Sequence, residues 1–263
     1  MYLTVNGSPT YIATGGKTFD GSLPTVVFLH GSGLDHRSWA LQTRWFAFHG
    51  YSVIAPDFPE HSLSQGEALG SIEAMADWLW QLLDEMGVEN CSLVGHSSGS
   101  LVALEAAANK PERVRSVSLI SASAMIGVND QLLALSKSDQ PAAVDSMLMW
   151  GFGEAYQFGR SNIPGQAPIG IGWQIMCDNP LHVDLSACQS YTNGEQAAAK
   201  VTAPAQLILA KNDRMTPLKF GKALGASLPN LTSTSIFDVG HMIPMEAPEK
   251  CLSALQEFIT GLK

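Results

Sequence analysis

The sequence predicts an α/β fold, a mostly parallel β-sheet with helices on both faces. Two observations carry that prediction: short apolar runs without alternation, and amphipathic segments between them. The runs are Thr25–His30, Ser52–Asp57, Cys91–His96, Val114–Ile120 and Ala205–Ala210. Strands covered on both sides read this way, whereas a half-exposed strand alternates. Between them, Ser71–Gly87 places Ile72, Met75, Leu79, Leu82, Leu83 and Met86 at helical spacing, with Ser71 as N-cap and Gly87 as stop. Ser98–Asn109 is rich in Ala and Leu and ends before Pro111. The tail Pro248–Leu262 sets Leu252, Leu255, Phe258 and Ile259 on one helical face. Strands alternating with helices build a parallel sheet. Only Tyr2–Thr18 alternates polar with apolar residues, around Asn6-Gly7 and Gly15-Gly16, and it reads as antiparallel strands joined by tight turns.

A chain of 263 residues suits one α/β domain with an insertion. With 46% apolar and 15% charged residues it is globular rather than disordered. A net charge of −9 repels phosphate backbones and anionic lipids, so neither nucleic acid nor membrane is expected as a partner. No apolar stretch of about 18 residues is present, and the N-terminus lacks a basic region followed by an apolar run. Cys91, Cys177, Cys188 and Cys251 are widely spaced and show no zinc-type pattern. A Cys177–Cys188 bridge is compatible with the sequence but not required by it, and a cytoplasmic location is the default expectation.

One stretch breaks the rhythm. From about residue 125 to 200 no strand is followed by a helix, and the chain is rich in Met, Trp, Phe, Gly and Ala. It reads as a helical lid, residues 125–200, inserted into a core formed by residues 1–124 and 201–263. Met147, Met149, Trp150, Phe152, Phe158, Trp173 and Met176 are candidates for an apolar pocket or for the lid's own small core.

Gly95-His96-Ser97-Ser98-Gly99 follows one apolar run and opens a helix, the strand–turn–helix setting that a nucleophilic serine requires. A serine on so sharp a turn needs small neighbours two residues away on each side. The hydroxyl also needs a base. His241 follows Thr234–Gly240, which reads as the last strand, and precedes the C-terminal helix, so it sits on a loop beyond a strand end. His96 reads as structural and His30 as part of a Gly-rich loop; His36, His49, His61 and His182 have no matching context. The acid that orients the base is Asp213, beyond the strand Ala205–Ala210; Asp238 reads as lying within a strand and is the weaker candidate. Two backbone donors for an oxyanion are expected, the N–H of Ser98 and that of Ser32 in His30-Gly-Ser-Gly33.

These motifs, with Trp39, Pro56-Asp57, Asn212-Asp213-Arg-Met-Thr-Pro217 and Gly240-His241-Met-Ile-Pro-Met-Glu-Ala-Pro248, together resemble the α/β-hydrolase superfamily from about Val26 onward. The likeness is to its small capped esterases, lactonases, C–C bond hydrolases and cofactor-free haloperoxidases. The resemblance implies an eight-stranded sheet, a helical cap after the sixth strand and the triad Ser97, Asp213 and His241. Relatives often carry Gly-His-Gly after Pro-Asp, where this chain has Pro59-Glu60-His61-Ser62. The expected activity is hydrolysis of a small to medium carboxylic ester through an acyl-enzyme, with no metal or organic cofactor, by a monomer or homodimer. Gly33, Met149, Trp150, Phe152, Trp173 and Met242 are the expected substrate contacts. The same triad serves lactones, thioesters and C–C bonds, and a non-enzymatic ligand receptor on the same fold is the rival of another class.

Overall fold

Asn6 and Gly7 reverse the chain at once, with φ of 50° and 82°, the paired left-handed residues of a tight hairpin. They join β1 (Tyr2–Val5) to β2 (Ser8–Ala13) in antiparallel register. The remaining strands are β3 (Thr25–Leu29), β4 (Ser52–Pro56), β5 (Cys91–His96), β6 (Val114–Ile120), β7 (Ala205–Ala210) and β8 (Leu231–Phe237). The computed structural model describes residues 1–157 and 167–262, so Phe158 lies outside the described residues. The eight strands form one sheet in the order β1-β2-β4-β3-β5-β6-β7-β8, parallel from β4 across to β8.

Every residue of β3, β4, β5 and β7 is buried, as their unbroken apolar runs require. At the edge, β8 alternates between partly buried and exposed positions. Its polar opening, Thr-Ser-Thr-Ser, hides a strand start that the sequence reading placed three residues later. Asp238 consequently follows the strand rather than lying within it, and accepts a hydrogen bond from Asn212 Nδ2 (3.1 Å).

Helices α1 (Ala40–Phe48), α2 (Ile72–Glu85), α3 (Ser98–Asn109), α10 (Leu218–Ser227), α11 (Ile243–Glu246) and α12 (Pro248–Gly261) surround the sheet. Ser71 caps α2 by accepting from the Ala74 N–H (3.1 Å), which contributes about 1 kcal/mol. The helical cap sits between β6 and β7, as expected. It comprises α4 (Asp130–Ser138), α5 (Gln140–Gly151), α6 (Glu154–Gln157), α7 (Pro168–Met176), α8 (Leu181–Ser190) and α9 (Gly194–Lys200). Asn129 and Asp139 cap α4 and α5 with their side chains. The last helix, α9, packs on α3 and α10. At its start Gly194 packs directly on the backbone after β6: a Cβ there would lie 1.8 Å from the Ala124 carbonyl oxygen.

Between β4 and α2 the backbone is strained. Glu60 (φ 65°) and Ser62 (φ 47°) flank His61 in the left-handed region, where a side chain is costly. These are the two positions at which the resembled proteins often have glycine. Ser62 is exposed, and its N–H donates to Asn179 Oδ1 (2.8 Å), a bond that glycine retains. Ser62→Gly is therefore expected to stabilise the protein by roughly 0.5–1 kcal/mol after the larger unfolded-state entropy of glycine is counted. Urea denaturation measures this, and an unchanged or lower midpoint would contradict the strain.

Candidate active site

Ser97 stands between the end of β5 and the start of α3 with φ 54° and ψ −121°. That conformation survives because the two helix-facing glycines remove all obstruction. A Cβ on Gly95 would lie 2.1 Å from the Gly99 carbonyl oxygen, and one on Gly99 would lie 2.3 Å from that of Leu29. The Ser97 N–H is tied to Ile120 O on β6 (3.0 Å) and its carbonyl accepts from the Ser100 N–H (2.9 Å), so the turn is fixed on both sides of Ser97. Ser97 lines a cavity of about 300 Å³ under the cap. Ser32 lines it too, and the N–H groups of Ser32 and Ser98 donate to no other described residue. Such free N–H groups, one of them at a helix N-terminus, suit a developing negative charge.

His241 lies on the loop after β8. Its Nδ1 is 2.8 Å from Asp213 Oδ2, and both side chains are buried. Asp213 also accepts from the N–H groups of Met215 (2.9 Å) and Thr216 (2.7 Å) and from Thr216 Oγ1 (2.7 Å). Burial opposes its charge, but His241 and these donors outweigh burial and hold the carboxyl below its ordinary value. The loop itself is anchored to the elbow. The His241 carbonyl accepts from His96 Nε2 (3.0 Å) and from Ser121 Oγ (2.6 Å). His241 Nε2 is buried without a hydrogen-bond partner among the described residues, so the bond to the Ser97 hydroxyl is not formed here. Sites of this kind often tighten that bond only around substrate.

His96 and His30 are neutral. Burial brings His96 down to about 3 and His30 down to about 4. His30 Nδ1 donates to Gly31 O (3.0 Å) while Nε2 accepts from the Phe58 N–H (3.2 Å), which fixes one tautomer. All four cysteines are free thiols, Cys177 and Cys188 included. Cys188 lines the cavity 3.6 Å from Ser32 Oγ, and burial pushes its thiol up to about 12. Asp35, His36 and Asp57 have ligand-type atoms within 4.8 Å of one another. Their polar groups are already engaged: Asp57 with His36 Nδ1 (2.8 Å), and Asp35 with Arg37 (2.6 Å).

The cavity walls come from Ile126, Leu132, Leu135, Met147, Trp150 and Leu185, among others. Of the residues expected from sequence to touch substrate, Trp150 is in that wall and the rest are not. Met147 and Trp150, three apart on α5, both line the cavity, Met147 buried and Trp150 more than half exposed; Met149, between them, is exposed and outside the lining. Trp173 is exposed, its Nε1 donating to Asp145 (2.9 Å). Phe152 and Met242 are buried in packing, and the N–H of Gly33 is taken by Asp184 (2.7 Å).

Residues 26–254 match the profile of the Alpha/beta hydrolase family. The chain belongs to that family. As a family member it overlays the enol-lactonase of Burkholderia xenovorans LB400 with a TM-score of 0.88 at 19% identity, over 99% of this chain and 100% of that one. A thermophilic esterase of Thermogutta terrifontis overlays with a TM-score of 0.85 at 20% identity, over 100% and 98% of the two chains. These likenesses are of fold. In sequence, this α/β-hydrolase is 39% identical over 102 residues to the dihydrolipoyllysine-residue acetyltransferase component of the acetoin cleaving system of Cupriavidus necator. That match takes in 38% of this chain and 27% of that protein's length.

Glu246 has a role that the sequence reading did not assign, although it sits inside the quoted His241 motif. Fully buried, it accepts from the N–H groups on both sides of His241, Gly240 (3.0 Å) and Met242 (3.0 Å), and from Gly153 of the cap (2.9 Å). Burial raises its pKa despite these donors. Its backbone carbonyl accepts from the Tyr156 hydroxyl. Glu246→Ala would orphan three amides at once and is expected to cost about 3 kcal/mol or more. Chemical denaturation tests this, and a loss below about 1 kcal/mol would show that the clamp is dispensable.

Proposed function

We propose that the chain is a serine hydrolase that cleaves carboxylic esters through an acyl-enzyme. The supporting observation is the strained Ser97 on the cavity wall, with a histidine hydrogen-bonded to a buried aspartate on the neighbouring loop. In this reading Ser97 Oγ attacks the ester carbonyl as His241 takes its proton. The carbonyl oxygen becomes an oxyanion held by the N–H groups of Ser32 and Ser98, each contributing about 3 kcal/mol. The alcohol leaves with the proton from His241, and water then repeats the sequence to release the acid.

The cavity lining suggests the range of substrates. Apart from Asn129, Gln131 and a few hydroxyl and thiol groups it is apolar, and Arg214 is its one ionic side chain among the described residues. Arg214 is half exposed, and its partner Glu154 is 3.5 Å away and more exposed still, a pairing weak enough for a ligand to displace. With no carboxylate among the described residues of the lining, neutral or anionic esters suit it better than cationic ones. Cyclic esters belong in the same panel, because an enol-lactonase shares the fold.

A fluorophosphonate probe tests the nucleophile: wild type is expected to label and Ser97→Ala is not, and an unlabelled, folded wild type would reject the hydrolase reading. Asp213→Asn is expected to fold yet lose about 10⁴-fold in kcat. Arg214→Ala should lower kcat/KM roughly tenfold for an ester with a distal carboxylate, the equivalent of about 1.4 kcal/mol, and leave a neutral isostere unchanged. Equal effects on both substrates would remove Arg214 from specificity.

A further inference from the structure

His61 and Asp184 form a second buried acid–histidine pair, which the hydrolytic mechanism does not use. Asp184, on α8 of the cap, places Oδ2 2.9 Å from His61 Nε2 and 2.7 Å from the N–H of Gly33. Both side chains are almost wholly buried, and Asp184 Oδ1 has no partner among the described residues. His61 Nδ1 faces the Pro59 carbonyl (3.0 Å). Both ring nitrogens therefore face acceptors, and only the imidazolium can donate to both. Burial opposes that charge, but Asp184 and the Pro59 carbonyl outweigh it, so the His61 pKa is raised.

Gly33 is the hinge of the loop that carries Ser32. The Leu34 N–H closes a turn on Gly31 O (3.0 Å), with Gly33 third in the turn at φ 68°. This is the type II pattern, which differs from type I by a flip of the peptide joining Ser32 to Gly33. Asp184 accepts the N–H of that peptide. From the same side of the cap, Asn179 Nδ2 donates to the carbonyls of Gly33 (2.9 Å) and Leu34 (3.1 Å). Asn179 Oδ1 accepts from Ser62, next to His61. The strained backbone at Glu60 and Ser62 thus presents His61 to a carboxylate that grips the oxyanion loop.

We propose that Asp184 and His61 are positioning residues for the oxyanion hole: Asp184 locks the Ser32–Gly33 peptide, and His61 neutralises the carboxylate that would otherwise repel the oxyanion. The inference rests on the serine-hydrolase reading. Both residues act through the loop, so their loss is read in kcat rather than in KM.

The experiment compares wild type, Asp184→Asn, His61→Gln and the double variant on a nitrophenyl ester, with fluorophosphonate labelling rates alongside. Each single variant is expected to lose ten- to a hundredfold in kcat with KM within about twofold, and labelling should slow in parallel. The double variant should be little worse than either single one, because the two residues act as one unit. Folded single variants with wild-type kcat, or losses confined to KM, would overturn the proposal. If the variants fail to fold, a ¹⁵N-histidine NMR titration of the wild type decides: His61 is expected to keep its second proton to higher pH than an ordinary histidine, and a ring that loses it at or below the ordinary value overturns the proposal. A wild type inert to the probe and to esters sinks the parent reading; a reactive wild type with unaffected variants sinks only this one.

Discussion

One close approach governs this molecule: the first turn of α3 lies against the ends of β3 and β5 with no room for a side chain between them. The Gly95 and Gly99 contacts, 2.1 Å and 2.3 Å from a built Cβ to backbone oxygens, leave only glycine at those positions. Forced through so tight a turn, Ser97 takes a backbone conformation that would cost roughly 1–3 kcal/mol if its surroundings did not impose it. In return its hydroxyl faces the cavity, and the N–H of Ser98, first in α3, donates to no other described residue. The parallel sheet makes this arrangement possible, because β3, β5, β6 and β7 all end at the same edge and deliver their loops to it.

The cap is tied to both loops that converge on this edge. The His241 N–H donates to Gly151 O at the end of α5 (2.6 Å), and Glu246 joins Gly153 of the cap to the amides flanking His241. At the other side Asn179 and Asp184 hold the loop that carries Ser32. A cap fixed in this way does more than cover the cavity, since displacing it would release the backbone on which the histidine and the expected oxyanion donor depend. The absence of side chains at Gly153 and Gly240 lets the two backbones meet. A Cβ on Gly240 would be 2.4 Å from the Gly153 nitrogen.

The elbow was legible in the sequence because its requirements are local. Gly95 and Gly99 act within four residues of each other, and the flanking strand and helix have periods that can be counted. The His241 and Asp213 placements followed from their positions after apolar runs. Glu246 and Asp184 were not legible in the same way. Each acts by accepting amides from residues distant in sequence or from a loop that gives no periodic signal, and a buried acid in a helix reads like any other. Strained Glu60 and Ser62 did leave a trace, as side chains where resembled proteins often carry glycine. The trace could not name Asp184, which lies 123 residues from His61. Met149 and Met147 show a further limit: apolar composition marked the cap as a pocket wall, but the helical phase that separates inward from outward residues is set by packing.

The ionisation of the buried groups bears on the proposed reaction, which generates both an oxyanion and an imidazolium. In the proposed reaction His241 accepts a proton, and the ring of His96 is 5.1 Å away between centroids. Were His96 charged, an unscreened pair at that separation would oppose the proton transfer by about 3 kcal/mol at an effective dielectric of 20, or some hundredfold in rate. Burial removes that penalty by holding His96 neutral, while its Nε2 still donates to the His241 carbonyl. Asp213 is treated in the opposite way. His241, together with three hydrogen bonds from Met215 and Thr216, keeps it ionised inside the protein, so its charge is available to the imidazolium. A neutral ring on one side of His241 and an anion on the other leave the charges at this edge set by the protein, and neither demands a charged group from the substrate.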